Sequence, residues 1–86
     1  GLGDVYKRQR QEYKKYEEMI GFYENESLKL SEELIRVATK NYQVREIDYM
    51  DYIRILEQAI ETKTKYLDAL NGYNQTVIDL WYLEGK

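Results

Sequence analysis

Tyr13, Tyr16, Ile20, Tyr23, Ser27, Leu30, Leu34 and Val37 recur at alternating spacings of three and four. That heptad seam, with one polar member, predicts a long amphipathic helix over residues 10–43. Gly21 lies inside it and costs about 1 kcal/mol relative to alanine. Residues 25–27 are a second soft spot, and Ser31-Glu32-Glu33 has the residue types of a cap for a restarted helix. The expectation for this half is one helix, with a bend near Ser27 (residues 25–31) as its weak point.

The second half carries two seams side by side. Ile53, Leu56, Ile60, Lys63, Leu67, Leu70, Asn74, Val77 and Trp81 form one, and Tyr52, Ile55, Ala59, Thr62, Tyr66, Ala69, Tyr73, Thr76 and Leu80 form the other. A two-stranded coiled coil needs one narrow stripe, whereas this helix, expected over residues 48–84, has an apolar face of roughly 160°. Such a face suits a helix wedged between two neighbours, in a bundle or a ring. The alternation of tyrosine with alanine on the second seam favours large-into-small packing.

Between the halves, residues 44–47 contain neither glycine nor proline. A break is signalled only by Asp48 and Asp51, spaced as an N-cap and a first-turn acid at a helix start. Pattern alone leaves two architectures open: an antiparallel hairpin, or one unbroken helix of about 75 residues, near 110 Å long at 1.5 Å per residue. The unbroken helix would need partner chains to cover its wide face.

Composition narrows the function classes. Charged residues make up 34% of the chain and apolar residues 43%, with no proline and a net charge of −3. Basic and acidic residues are interleaved, so there is no concentrated basic face for nucleic acid. No run of about 20 apolar residues is present to span a bilayer. Ten tyrosines supply apolar area with a polar tip, suited to half-buried positions. The chain has neither histidine nor cysteine, no glycine-rich phosphate loop and no nucleophile elbow. Glu17/Glu18, Glu32/Glu33 and Glu57/Glu61 fall in helical surface patterns, without the burial a general acid needs. Met19 and Met50 are solitary, so no soft-metal site is expected. The reading is a non-enzyme without cofactor or metal.

Residues 1–9, GLGDVYKRQ, show no useful periodicity. They resemble a translated adaptor at the head of a truncated reading frame, and are expected to be a non-native leader on a fragment of a longer protein.

Around the junction the chain reads Tyr42-Gln43-Val44-Arg45-Glu46-Ile47-Asp48-Tyr49-Met50-Asp51-Tyr52. It continues through Leu56 and Ala59, then Tyr66-Leu67-Asp68-Ala69-Leu70-Asn71-Gly72-Tyr73-Asn74-Gln75, and ends Tyr82-Leu83-Glu84-Gly85-Lys86. Upstream stand Phe22-Tyr23, Leu28-Lys29-Leu30 and Ile35-Arg36-Val37-Ala38. From Gln11 to Lys86 this order resembles the carboxy-terminal segment of TolC-type outer-membrane efflux proteins. It is most similar to the TolC-like segments found with heavy-metal efflux pumps of the CusA/CzcA type. Two positions depart from that pattern. Arg45 stands where the family has a tip glycine, which would allow positive φ in a tight turn. Lys29 stands where a proline often follows the upstream leucine, so any kink there should be milder.

The resemblance implies an all-α fold, a long antiparallel helical hairpin of coiled-coil type that forms part of a trimeric α-barrel in the parent protein. It places the chain in the periplasm as part of an outer-membrane protein. It implies partners as well: two further copies, a periplasmic adaptor (membrane fusion) protein, and a proton-driven inner-membrane pump of the RND type. Gln43, Val44, Arg45 and Glu46 would then form the adaptor-docking tip. Asp48 and Asp51 would lie at the tunnel entrance, where a ring of carboxylates attracts cations. Helix capping explains the same two aspartates without transport. The alternative function is a generic coiled-coil interaction module with no transport role. A membrane-curving helix of the BAR type would need a basic concave face, which the negative charge disfavours. Trp81 and Tyr82 are expected to finish the helix core in preference to anchoring at a membrane interface.

Overall fold

The computed structural model describes residues 1–85 as a helical hairpin measuring 61 × 19 × 17 Å. Helix α1 spans Leu2–Phe22, a π-helical turn spans Tyr23–Ser27, and helix α2 spans Leu28–Gln43. These run on as one rod. After a turn at residues 44–47, helix α3 spans Tyr49–Glu84 and packs back along both α1 and α2. The two open architectures are thereby separated, because an unbroken helix would be nearly twice as long as the molecule.

The second seam of α3 faces its own hairpin partner. Ala59, Ala69 and Thr76 on it are buried, and Tyr52, Ile55, Thr62, Tyr66, Tyr73 and Leu80 are half-buried. Packing along the rod sets large residues against small ones at several points. Against α1, α3 supplies small residues: the Tyr16 ring lies over Gly72, where an added Cβ would come within 2.5 Å of it. Against α2 small residues come from both sides, with Ser31 half-buried and Ala38 buried on α2, and Ala59 of α3 buried beside Leu28 and Ile35.

Tyrosines stitch the two arms through rings and hydroxyls together. Tyr13 and Tyr73 meet at 5.2 Å between ring centroids, and Tyr23 meets Tyr66 edge-on at 6.1 Å. The Tyr66 hydroxyl donates to Glu24 at 2.6 Å, the Tyr6 hydroxyl donates to Glu84 at 2.7 Å, and the Tyr52 and Thr39 hydroxyls lie 2.9 Å apart. Residues with an apolar body and a wet tip are what so thin a molecule can use. No large side chain is fully buried among the described residues.

Three expectations are corrected. The helix begins at Leu2 and not at residue 10, so residues 1–9 do not stand apart from the fold. Tyr6 and Gln9 are half-buried, and Tyr6 lies one heptad before Tyr13, so the periodicity already extends into that segment. There is no restart at Ser31, which lies inside α2. At the expected weak point a π turn accommodates one extra residue: the Leu28 N–H donates to the Tyr23 carbonyl, five residues back, and Ser27 and Leu28 keep helical dihedrals.

The third correction follows from that extra residue. Beyond Ser27 the inward seam shifts by one position, to Leu28, Ser31, Ile35 and Ala38. Leu30, Leu34 and Val37 turn outward, at 62%, 47% and 39% exposure. Volume contributes at two of these positions, where Ser31 and Ala38 take the inward places that Leu30 and Val37 would hold; Leu34 and Ile35 are of equal size and exchange places without a volume difference.

Candidate functional site: the tip and the apolar flanks

The turn is built from a helix stop and a helix start. Val44 ends α2 with its N–H on the Lys40 carbonyl at 3.1 Å. The Glu46 N–H then reaches back to the Asn41 carbonyl at 2.8 Å, and the Arg45 N–H to the Tyr42 carbonyl at 3.0 Å. This pair of bonds is a Schellman motif, which satisfies carbonyls left open at a helix end. The motif requires a left-handed residue after the cap. That residue is Arg45, at φ 64°, where glycine would carry no Cβ penalty. The turn therefore keeps the glycine geometry without the glycine.

On the far side, Asp48 is the N-cap of α3, in extended conformation, and its Oδ1 accepts from the Asp51 N–H at 2.8 Å. The Asp51 carboxylate sits in the first turn, 3.5 Å from Arg54 Nη1. Both aspartates are exposed, so their charges reach solvent beside the tip even though one oxygen of Asp48 is taken up by the cap. Gln43, Val44, Arg45 and Glu46 are all exposed, and Ile47 is half-buried beneath them. The structure thus brings the six singled-out residues together at one end of the molecule.

Three further residues complete that end, and sequence reasoning left them out. Tyr42 stacks flat on Tyr52 at 4.7 Å with 5° between planes, and lies 6.2 Å from Tyr49 across the turn. Tyr49 and Met50 are exposed, and with Val44 they give the tip an apolar and aromatic fringe around its charges. The heptad spacing of Tyr42 and Tyr49 across a break was the available signal.

Below the tip both flanks of the hairpin are apolar. On one, Leu28, Ile35, Leu56, Ile60 and Leu67 line an open groove of about 520 Å³ with Lys63 and Glu32 at its edge. The stripe of α3 on this side continues through Val77 to Trp81. On the other flank, Leu30 and Leu34 lie beside Gln58 and Thr62. Trp81, 73% exposed, does not finish the hairpin's own core, whereas Tyr82 lines a shallow cleft with Val5 and Gln9 of α1.

The perturbed titratable groups lie away from the tip. Hydrogen bonding to Tyr73, and then to Glu17, pushes the Tyr13 phenol up to about 12. The Glu24 carboxylate raises Tyr66 in the same way, and Arg36 holds Glu33 below the usual carboxylate range. Among the described residues, no cluster of acidic side chains could hold a metal ion, and no helix is long and apolar enough to cross a membrane. Comparison of the chain with family models, curated proteins and solved structures found no match.

Proposed function

We propose that this chain is the periplasmic hairpin of a TolC-like outer-membrane channel component, working in a tripartite RND-type efflux system that exports heavy-metal cations. Its task is architectural. The rods supply tunnel wall within a trimeric α-barrel, and the tip at Gln43, Val44, Arg45 and Glu46 engages a periplasmic adaptor protein. Asp48 and Asp51 flank the tunnel mouth and raise the local cation concentration there. Gating proceeds by small relative movement of neighbouring helices. The observation that carries the reading is the apolar stripe on each flank of a hairpin whose turn stays exposed. A self-sufficient two-helix module would cover at least one of those stripes within its own fold.

The decisive experiment replaces the periplasmic hairpin of a TolC-type channel from a heavy-metal efflux system with residues 10–84. The chimera is expected to trimerise in the outer membrane and to restore metal tolerance to a channel-deleted strain. Assembly without restored tolerance would refute the transport role. A stable, stoichiometric dimer of the isolated chain, with no affinity for the adaptor, would favour the interaction-module reading instead.

A further inference from the structure

We propose that Tyr13 and Tyr73 form an oxidative cross-linking site, at which a one-electron oxidant joins α1 covalently to α3. The proposal stands on geometry alone and is independent of the transport reading. Tyr13 and Tyr73 come from opposite arms, and their phenolic oxygens lie 3.3 Å apart with ring centroids at 5.2 Å. Because the oxygens approach more closely than the centroids, the rings converge at their hydroxyl ends. The Cε carbons next to each hydroxyl-bearing carbon therefore lie at the converging end of the pair. These are the ring carbons that share the unpaired electron of a tyrosyl radical.

The surroundings also provide a route for a proton. Tyr73 donates its hydroxyl hydrogen to Tyr13, and the Glu17 carboxylate is a further hydrogen-bonding neighbour of Tyr13, one turn along α1. Each phenol gives one electron to the oxidant and loses its hydroxyl proton, that of Tyr13 to Glu17 and that of Tyr73 to solvent. The two radicals then couple, forming one carbon–carbon bond between Cε positions. Each ring regains aromaticity by moving the hydrogen on its coupled carbon to the oxygen. The product is a dityrosine, and the chain has lost two hydrogen atoms in all, as two electrons to the oxidant and two protons. The rival pair, Tyr42 and Tyr52, is stacked nearly parallel, and the Tyr52 hydroxyl is held by Thr39. The Tyr52 hydroxyl is thus engaged with Thr39, whereas the hydroxyls of Tyr13 and Tyr73 are engaged with each other.

A covalent bond at this point ties α1 to α3 on the arm away from the tip, where no turn holds the strands of the hairpin together. It acts as a clip on a molecule with little core. The test exposes the dilute full chain to hydrogen peroxide with a peroxidase, and compares wild type with Tyr13→Phe, Tyr73→Phe, Tyr52→Phe and Glu17→Gln. Circular dichroism first establishes that each variant keeps the parent helicity. The expected result is dityrosine fluorescence in a species of monomer mass, reduced by two hydrogens, with the cross-linked peptide mapping to Tyr13 and Tyr73. Either phenylalanine change at that pair should abolish the product, Tyr52→Phe should leave it unchanged, and Glu17→Gln should slow its formation. The cross-linked chain should also retain helicity at temperatures where the untreated chain has lost it. Absence of product, a product only between chains, a cross-link mapping to Tyr42 and Tyr52, or equal yield in denaturant would overturn the proposal.

Discussion

Leu34 and Ile35 are neighbours in sequence, yet the π turn gives them opposite fates, so truncating each tests the register of α2 directly. An uninterrupted helix would point Leu34 at α3 and Ile35 away. In the structure Ile35 is half-buried in the inward seam, and Leu34 is 47% exposed. Truncating a fully buried isoleucine to alanine costs about 2–5 kcal/mol, so a half-buried one should cost roughly 2 kcal/mol. Leu34 keeps about half its surface in water and loses fewer contacts, so Leu34→Ala should cost below about 1 kcal/mol. The assay is urea unfolding followed by circular dichroism, at concentrations where the chain sedimentates as a monomer. Dilution matters because Leu34 lies on a flank that a neighbouring copy would cover. Deleting Asn25 sharpens the test, since removing one residue should convert the π turn to regular helix and leave Ile35 facing inward. A larger loss for Leu34→Ala than for Ile35→Ala, or collapse of the hairpin on deleting Asn25, would refute the register shift.

Arg45→Gly should raise stability by roughly 0.5–1 kcal/mol, the relief of a left-handed non-glycine residue less the added freedom of the unfolded chain; an unchanged urea midpoint would count against the Schellman turn. Gly21 has open space around it and Gly72 has none, so Gly21→Ala should stabilise by about 0.5–1 kcal/mol, whereas Gly72→Ala should lose about 1 kcal/mol net as its Cβ displaces the Tyr16 ring. Tyr13 and Tyr66 are held protonated in the fold, their phenols raised above the ordinary 10.0. The contribution of each is therefore complete below pH 10 and lost as the pH climbs above it, for Tyr13 toward about 12. Helicity should fall in step with tyrosinate absorbance over that window, and Tyr73→Phe should move the Tyr13 titration downward. Helicity and thermal midpoint should rise with protein concentration, because association covers the flanks; a concentration-independent midpoint would show that the hairpin needs no neighbour.

The periodic parts of the fold were legible from residue spacing. Both arms and the wide face of α3 follow from the heptads, and Asp48 announces its cap through the acid three residues on. Two features were not legible, for different reasons. The shift at Tyr23–Ser27 leaves no composition signal, since an inserted residue is visible only when the seam beyond it meets its partner. Ser27, Leu30, Leu34 and Val37 continue the upstream spacing without a break, so nothing in the residue order marks the shift. The turn was ambiguous because its left-handed position holds Arg45, the residue type least suggestive of one. Its recognition depended on resemblance, and the backbone bonds of Arg45 and Glu46 now give it a geometric basis.

The thinness of the core and the breadth of the apolar surface have a common origin. A helix that must touch its hairpin partner and another helix cannot place all its large side chains on one seam. In α3 the partner-facing seam combines Ala59, Ala69 and Thr76 with Tyr52, Ile55, Tyr66, Tyr73 and Leu80, while Ile60, Leu67, Val77 and Trp81 occupy the seam beside it. In α2 the π turn has the same effect, reserving Ser31 and Ala38 for the hairpin and turning Leu30, Leu34 and Val37 away from it. Both arms thus mix small residues with large ones at the contact they already make, and keep further large residues on flanks that remain open. That division would be wasteful in a free-standing module, where each exposed leucine forgoes burial of about 25 cal/mol per Å². It is the expected arrangement for one stave of a wall, whose strongest packing lies between staves and whose tip alone is left to meet a different partner.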